Sequence, residues 1–177
     1  VDIDGQEAYR LTDTVGLAVD AVEVRSTTTL VVRPNSIPLS FKRKLEAAGR
    51  TFEFDCQFRG DVVAAKVSGA ANLSRDIPLK PGDRCFDNNL ISSFAAICTQ
   101  LKLEPGKTVN VRTYHPSSMQ IISLTFQCEG VEKVLHGGKE LDCFKCLVGP
   151  INNNFWISRD GRLLKVSQGP LVIELVE

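Results

Sequence analysis

The sequence predicts a mainly β fold in which a strongly curved antiparallel sheet, a half-barrel, wraps around one central helix. Three observations lead to this prediction. Most of the chain alternates apolar and polar residues with a period of two, as half-buried strands do. Short turns join these segments, which favours antiparallel pairing. The stretch from Asn89 to Leu101 contains no charged residue and has the apolar spacing of a helix.

The most regular predicted strand is Thr51–Arg59. Four residues of this strand share one apolar face: Phe52, Phe54, Cys56 and Phe58. The residues between them are polar or charged, so one face is predicted to be buried and the other wet. Gly60-Asp61 then predicts a turn, and Val62–Val67 returns as the partner strand.

The same alternation predicts about ten strands along the chain. The further strands are Leu17–Arg25, Thr28–Val32, Val109–Tyr114, Ile121–Cys128, Val131–Leu135, Leu141–Val148, Phe155–Ile157, Leu163–Val166 and Leu171–Val176. Glu129-Gly130 and His136-Gly137-Gly138 are typical turn sequences between neighbouring strands.

The central helix is predicted over about residues 88–101. Asp87 is placed to cap its first turn, and Pro105-Gly106 prevents its continuation. The apolar stripe contains Leu90, Phe94, Ile97, Cys98 and Leu101. The opposite face holds small or neutral residues: Asn89, Ser92, Ser93, Ala96, Thr99 and Gln100. Protein can cover such groups at low desolvation cost, which favours a helix lying in a concave sheet.

The composition suits one β-rich domain over residues 1–177. Lys plus Arg and Asp plus Glu both number 21, so the net charge is zero. This balance disfavours nucleic acid as the main partner, since phosphate binding needs a basic excess. The dense basic run Lys42-Arg43-Lys44 is predicted to be a solvated loop or helix face.

No apolar run reaches the ~20 residues of a membrane-spanning helix, so no membrane span is predicted. The first residue is Val1 rather than Met. We therefore expect the chain to be excised from a longer precursor that carries any targeting signal or further domain.

The six cysteines include a CxxC pair, Cys143 and Cys146, of the kind found in redox motifs and zinc knuckles. Inside a strand, residues i and i+3 point to opposite faces, so the pair cannot share a metal without a bulge. A structural role is favoured over a disulfide to another strand, and over metal or redox use. Cys143, Cys146 and His136 are weak metal candidates, and neither a metal nor a cofactor is predicted.

The order of features later in the chain resembles a known family. An acidic residue opens an uncharged helix, followed by Leu101–Lys107, Gly138–Lys145 and then Phe155–Ser158. This order resembles a family of bacterial exported β-rich domains, some of whose relatives precede transglutaminase-like domains. Their architecture is similar to the half-barrels of the lipoprotein-carrier (LolA/LolB-like) group. The resemblance implies a fold and a periplasmic or secreted location, and it supplies no catalytic residue.

The first functional hypothesis is a non-enzymatic extracytoplasmic module that binds an apolar ligand such as a lipid, an envelope component or a protein partner. The predicted ligand-binding cleft lies between the helix and the aromatic strand face. Its candidate residues are Phe52, Phe54, Phe58, Leu90, Phe94 and Trp156. One alternative is a structural domain that positions a neighbouring transglutaminase-like domain. Another is a thiol-dependent hydrolase or redox enzyme using Cys98, Cys143 or Cys146 with a histidine.

Overall fold

The computed structural model describes residues 1–3, 5–19, 22–69, 72–88 and 90–175. Over these residues the protein is mainly β, with one helix, as predicted. The strands are β1 (Asp2–Ile3), β2 (Gln6–Glu7), β3 (Tyr9–Val19), β4 (Val22–Val32), β5 (Pro38–Ala47), β6 (Arg50–Arg59), β7 (Val62–Ser68), β8 (Leu73–Pro78), β9 (Arg84–Cys85), β10 (Thr108–His115), β11 (Gln120–His136), β12 (Lys139–Gly149), β13 (Asn153–Ser158), β14 (Leu163–Gln168) and β15 (Leu171–Glu174). The helix is α1 (Ile91–Cys98). None of the helical structure in these ranges is long and apolar enough to cross a membrane.

The chain divides into two compact units. Unit 1 comprises Val1–Ser93 and Thr113–Ile122, and unit 2 comprises Phe94–Arg112 and Ser123–Glu177. Each unit is described by itself. The single domain over residues 1–177 stays a prediction.

Unit 1 contains an antiparallel sheet in the order β3-β4-β5-β6-β7-β8. Because side chains alternate across a sheet, residues directly opposite one another share a face. One such row runs through Leu30, Phe41, Cys56 and Ala65 on four successive strands. All four are buried, so this face carries the core of the unit.

Unit 1 also contains a parallel pair, formed by β9 and the C-terminal end of β10. Thr113 lies opposite Arg84 and Tyr114 lies opposite Cys85. The buried Tyr114 ring packs edge-on against Phe58, with ring centroids 5.8 Å apart. This parallel pair was not predicted, since the turn signals in the sequence indicate only antiparallel neighbours.

Unit 2 contains an antiparallel meander in the order β11-β12-β13-β14-β15. Its core is aromatic: the buried Phe155 ring packs edge-on against Phe94 of α1 at 5.1 Å and against Phe126 at 6.0 Å. A β-bulge between Cys128 and Gly130 shifts the register of β11 against β12.

The helix is shorter than the predicted residues 88–101. Leu90 N–H donates to the Asp87 carbonyl in a turn before Ile91, so Asp87 lies too early to be the N-cap. The Ser92 amide in the first turn donates instead to the carboxylate of Asp13, 3.3 Å away. After Cys98 the bonds tighten to i→i−3, as Leu101 N–H donates to the Cys98 carbonyl, which ends the α-helix. Asn89 lies outside the described residues.

The prediction missed β5, β8 and most of β3, and it was wrong about two chain reversals. Leu17–Arg25 is not one strand, because Val19 lies opposite Val22 across a chain reversal between β3 and β4. Strand-like residues on both sides of this reversal conceal it in the sequence. Conversely, Glu129-Gly130 is not a turn: the chain continues through a bulge as the single strand β11. Val176, the predicted end of the last strand, lies outside the described residues.

The Lys42-Arg43-Lys44 run is not a solvated loop or helix face. It lies within β5, where side chains alternate in direction, so Lys42 and Lys44 are exposed while Arg43 is buried. Three adjacent basic residues therefore have two different environments.

Candidate functional site

The buried charges of unit 1 meet at Arg43 and Asp87. The Arg43 side chain is 9% exposed and that of Asp87 is 0% exposed. The Arg43 Nη1 atom lies 3.8 Å from Asp87 Oδ1. Charged groups are rarely buried in this way unless they are paired and hydrogen-bonded.

Two serines complete the pairing. Arg43 Nε donates to Ser26 Oγ at 2.9 Å, and Nη1 donates to Ser117 Oγ at 2.9 Å. The Ser117 hydroxyl in turn donates to Asp87 Oδ2. Ser117 therefore bridges the guanidinium and the carboxylate. We call Arg43, Asp87, Ser26 and Ser117 the buried polar network.

The network belongs to a polar row on the inner face of the unit 1 sheet. Thr28 lies opposite Arg43 in β4, and Asp13 lies opposite Thr28 in β3. Asp13 accepts a hydrogen bond from the Ser92 hydroxyl at 2.9 Å. Thr28 Oγ1 is buried and lacks a hydrogen-bond partner among the described residues.

His115 lies beside the network, with its ring 5.0 Å from that of Phe86. Burial lowers the pKa of His115 below 6.5; the charge of Asp87 opposes this shift, and that of Arg43 adds to it. The imidazole Nδ1 contacts Ser118 Oγ at 2.8 Å. A Ser–His–Asp relay needs the imidazole between the hydroxyl and the carboxylate, whereas here Ser117 bonds Asp87 directly.

Stability is expected to fall as pH drops below about 6.5, the pKa of an unfolded histidine. The unfolded chain then binds a proton that the folded chain, with its lower His115 pKa, binds less readily. Urea unfolding at pH 7.5 and 5.5 measures this slope, and His115→Gln should reduce it. If the free energy of unfolding of His115→Gln changes with pH as much as that of the unmodified protein, other groups cause the pH dependence.

The structure brings three of the predicted cleft residues together. Leu90 is buried in the apolar cluster of unit 1, and Phe54 and Phe58 pack against that cluster while remaining partly exposed. Phe52 lies half-buried on the same strand face, opposite Leu45. Leu90, Phe54 and Phe58 are therefore part of the core of unit 1.

The other two candidates belong to unit 2. Phe94 is buried against Phe155. Trp156 is half-buried on the other face of the same strand, where its Nε1 donates to Glu132 Oε2 at 2.9 Å. Lys165 lies 5.0 Å from the centre of the Trp156 ring. The environment of Trp156 is therefore charged, unlike that of an apolar cleft.

One predicted residue, Phe58, lines an open cavity of about 250 Å³ in unit 1. Most of the remaining lining is apolar or basic: Arg33, Ile37, Pro38, Leu39, Leu79, Lys80 and Pro81. Gly60, Gly82 and Asp83 complete it. Arg33 and Lys80 are exposed, so the cavity combines apolar walls with cationic groups.

A larger cavity of about 610 Å³ lies in unit 2, beside the turn between β11 and β12. Its lining is mixed: Leu135, His136, Gly137, Lys139, Leu141, Arg162, Glu174 and Leu175. His136, a weak metal candidate, lies here.

The CxxC cysteines point to opposite faces of β12, as the strand period predicts. Cys143 lies opposite Ser158, whereas Cys146 lies opposite Phe155 and Cys128. All six cysteines are buried and free. Over the described ranges, no group of three or more His, Cys, Asp or Glu side chains is arranged to hold a metal ion.

Sequence reasoning missed the buried polar network, although one signal pointed to Arg43. Phe41 and Leu45 lie two residues before and after it, so the period of two places all three on one face. Asp87 and Ser117 carry no comparable signal, because only the fold brings them to that face.

Comparisons with known proteins indicate the fold. No curated protein matches the chain. Among solved structures, the chain is similar to a beta-barrel-like protein of a domain of unknown function, DUF1849, from Brucella abortus. The TM-score is 0.60 at 12% sequence identity, over 90% of this chain and 75% of that one. At this identity the likeness shows the fold alone.

A sequence model of one protein family covers nearly the whole chain. The family is described as "Protein of unknown function (DUF3108)", and the match extends over residues 3–175. The chain therefore belongs to the DUF3108 family.

Proposed function

We propose that this protein is a non-enzymatic binding module that takes the apolar part of a small anionic amphiphile, such as a fatty acid. The cavity at Phe58 is the observation that carries the proposal. Its volume of about 250 Å³ is slightly below the range of about 300–1,000 Å³ typical of small-molecule sites. It therefore suits a short acyl chain or a single ring.

The cavity wall is held by a tight turn. Asp83 N–H donates to the Lys80 carbonyl, with Pro81 and Gly82 between them. Gly82 has a φ of 92°, so these residues form a type II turn, which needs glycine at this place. The Lys80 amide also donates to Asp83 Oδ2 at 2.8 Å. Because the turn is already held by hydrogen bonds, its residues lose little conformational entropy when a ligand binds.

The charge of the cavity favours an anionic head group. Arg33 and Lys80 are the exposed charges of the lining, and both are cationic. Asp83 is 7% exposed and accepts the Lys80 amide, so its carboxylate faces a backbone donor. A carboxylate on the ligand would gain charge-assisted hydrogen bonds here.

Ligand binding is expected to raise the melting temperature. Octanoic acid at 100 times its Kd should stabilise the full chain by about 2.7 kcal/mol, a shift of about 5–10 °C. Ile37→Trp should remove most of this shift because the larger indole extends into the cavity that Ile37 lines. Differential scanning fluorimetry with native mass spectrometry measures both effects.

Two controls separate this site from others. Leu135→Trp places the same ring at the unit 2 cavity and should leave the octanoic acid shift unchanged. Lys80→Glu should weaken binding of octanoic acid but not of octanol, which lacks the charge. The absence of a shift with either compound, together with no co-purifying lipid, would contradict the proposal.

The burial of the cysteines and their raised pKa values disfavour the thiol-enzyme alternative. Burial raises the pKa of Cys56 to about 11 and that of Cys146 to about 12. Burial also raises the pKa values of Cys85, Cys98 and Cys143. Because the thiolate is the nucleophile, such thiols are poor nucleophiles at neutral pH.

Thiol titration checks this point. At pH 7.4 the folded chain should react with far less than one equivalent of Ellman's reagent within minutes, since all six thiols are buried. The same protein, fully reduced beforehand, should react with six equivalents in denaturant. One fast thiol in the folded chain would revive the enzymatic alternative and identify its residue by peptide mapping.

A protein partner on unit 2 is a second candidate. Four of its large apolar side chains are 41–67% exposed: Val131, Leu135, Leu171 and Val172. Leu171 and Val172 belong to β15, which ends the described order of strands, and such an edge can accept an added strand. If a protein partner binds the β15 edge, the Val172→Pro variant should no longer bind that partner, whereas the Ile37→Trp variant should still bind it.

The finer expectations from sequence stay predictions. These are the half-barrel closed on the helix, the resemblance to lipoprotein carriers, the extracytoplasmic location and the role in positioning a neighbouring domain. Fusing the product of the complete gene to an alkaline phosphatase reporter, which is active only outside the cytoplasm, tests the location.

A further inference from the structure

Cys128 and Cys146 lie directly opposite each other on β11 and β12 of unit 2. Cys128 N–H donates to the Lys107 carbonyl at 2.9 Å, and the Cys128 carbonyl accepts from Gly106 N–H at 2.8 Å. Both backbone groups of Cys128 thus point away from β12. The two cysteines are therefore a non-hydrogen-bonded pair of the antiparallel ladder.

This type of pair suits a disulfide. Opposite residues in a non-hydrogen-bonded pair have Cα atoms about 4.5 Å apart, with their side chains on the same face. Disulfides span Cα separations of about 4.4–6.8 Å. The cysteines can therefore be joined without moving either strand far. The bulge that follows Cys128 adds local freedom to β11.

Both side chains lie in the core of unit 2. Cys128 is 1% exposed and Cys146 is 0% exposed. Burial raises the pKa of Cys146, and the adjacent Cys128 thiol adds to the shift. Folding therefore encloses these thiols in an environment that slows any later reaction with an external oxidant.

We propose that Cys128 and Cys146 form a cross-strand disulfide when the chain folds in the presence of a disulfide oxidant, such as oxidised glutathione or a thiol oxidoreductase. One cysteine thiolate attacks the oxidant disulfide, forms a mixed disulfide and expels one reduced thiol. The other cysteine then attacks the protein sulfur of that mixed disulfide and expels the second thiol. The protein loses two electrons and two protons, and the oxidant becomes two thiols.

The bridge closes a loop of residues 129–145, which contains most of the β11–β12 hairpin. Closing this loop restricts the unfolded chain, so the oxidised protein should melt about 5–10 °C higher than the reduced protein. The inference is independent of the ligand proposal, because the Phe58 cavity belongs to unit 1.

Refolding the full chain tests the pairing. The reduced protein is unfolded in denaturant and diluted into a glutathione redox buffer. Free thiols are then alkylated and the peptides mapped without reduction. We expect a loss of about 2 Da, the two hydrogens removed, and one cross-linked peptide pair containing Cys128 and Cys146. Cys128→Ser should abolish this species.

Two further variants locate the bridge. The thiol of Cys98 also lies near Cys146, but Cys98 belongs to the helix and is not paired with either strand. The Cys98→Ser variant should therefore still form the Cys128–Cys146 disulfide. The double variant Cys56→Ser/Cys85→Ser removes two thiols of unit 1 that lie close to each other. This variant should also form the Cys128–Cys146 disulfide. Oxidation that leaves Cys128 and Cys146 alkylated, or that joins either mainly to Cys98, would overturn the proposal.

The variant Cys128→Ala/Cys146→Ala guards against misfolding. If its circular dichroism matches that of the reduced protein, failure of the single variants to oxidise reflects the missing partner. If its melting temperature still rises by 5–10 °C under oxidising conditions, the stabilisation comes from elsewhere and the proposal is wrong.

Discussion

Asp87→Ala is expected to destabilise the protein by about 3–5 kcal/mol, because it leaves the buried Arg43 guanidinium without its counter-charge. Ser117 would also lose the acceptor of its hydrogen bond. A loss of this size is a large part of the total stability of a typical domain, about 5–15 kcal/mol. Urea unfolding monitored by circular dichroism measures it.

Three variants show whether the charge causes the loss. Asp87→Asn keeps an acceptor for Ser117 and should cost less than Asp87→Ala. The double variant Arg43→Met/Asp87→Leu removes both charges and should recover most of the stability. Lys42→Ala removes a basic residue from the same strand, but its ion pair with Asp55 is exposed, so we expect a change below about 1 kcal/mol. Equal losses in Lys42→Ala and Asp87→Ala would contradict this account of the network.

Phe155→Ala is expected to cost about 3–5 kcal/mol, the usual effect of removing a fully buried phenylalanine. The substitution also removes two edge-to-face contacts, with Phe94 of α1 and with Phe126 of β11. Such aromatic pairs contribute about 0.5–1.5 kcal/mol beyond the area they bury. Thermal and urea unfolding of the full chain measure the total.

Asn154→Ala is the matched control. Asn154 precedes Phe155 on β13 and points to the other face, so its truncation should change stability by less than about 0.5 kcal/mol. A loss below about 1.5 kcal/mol for Phe155→Ala would mean that the packing of α1 in unit 2 depends little on this ring.

Many of the strands were predictable because alternation is a local property, although β5, β8 and most of β3 were missed. Phe54, Phe58 and the other apolar residues of β6 lie on the predicted face. Prediction failed where the same local sequence is compatible with two different structures. Glu129-Gly130 is typical of a turn but forms a bulge, and Arg43 lies in a basic run but points into the core. The pairing of β11 with β12 decides the first case, and the direction of the side chain from β5 decides the second.

The candidate site was only partly predictable for a related reason. Phe58 is predicted to line the cleft as an apolar residue on a strand face, and it does line a cavity. Trp156 is predicted there because a large aromatic ring suits an apolar ligand, yet it lies among Lys145, Lys165 and Glu132. A side chain's neighbours come from other strands, and the sequence of one strand does not specify them.

The sequence by itself determined that the chain is mainly β, where its helix lies to within a few residues, and which face of each clear strand is apolar. Only the tertiary structure decided which residues meet: Arg43 with Asp87, Phe94 with Phe155, and Cys128 with Cys146. The physical reason is that periodicity follows from backbone geometry within a few residues. Contacts between residues distant in sequence depend instead on chain reversals and strand register, which are set by the packing of the whole unit.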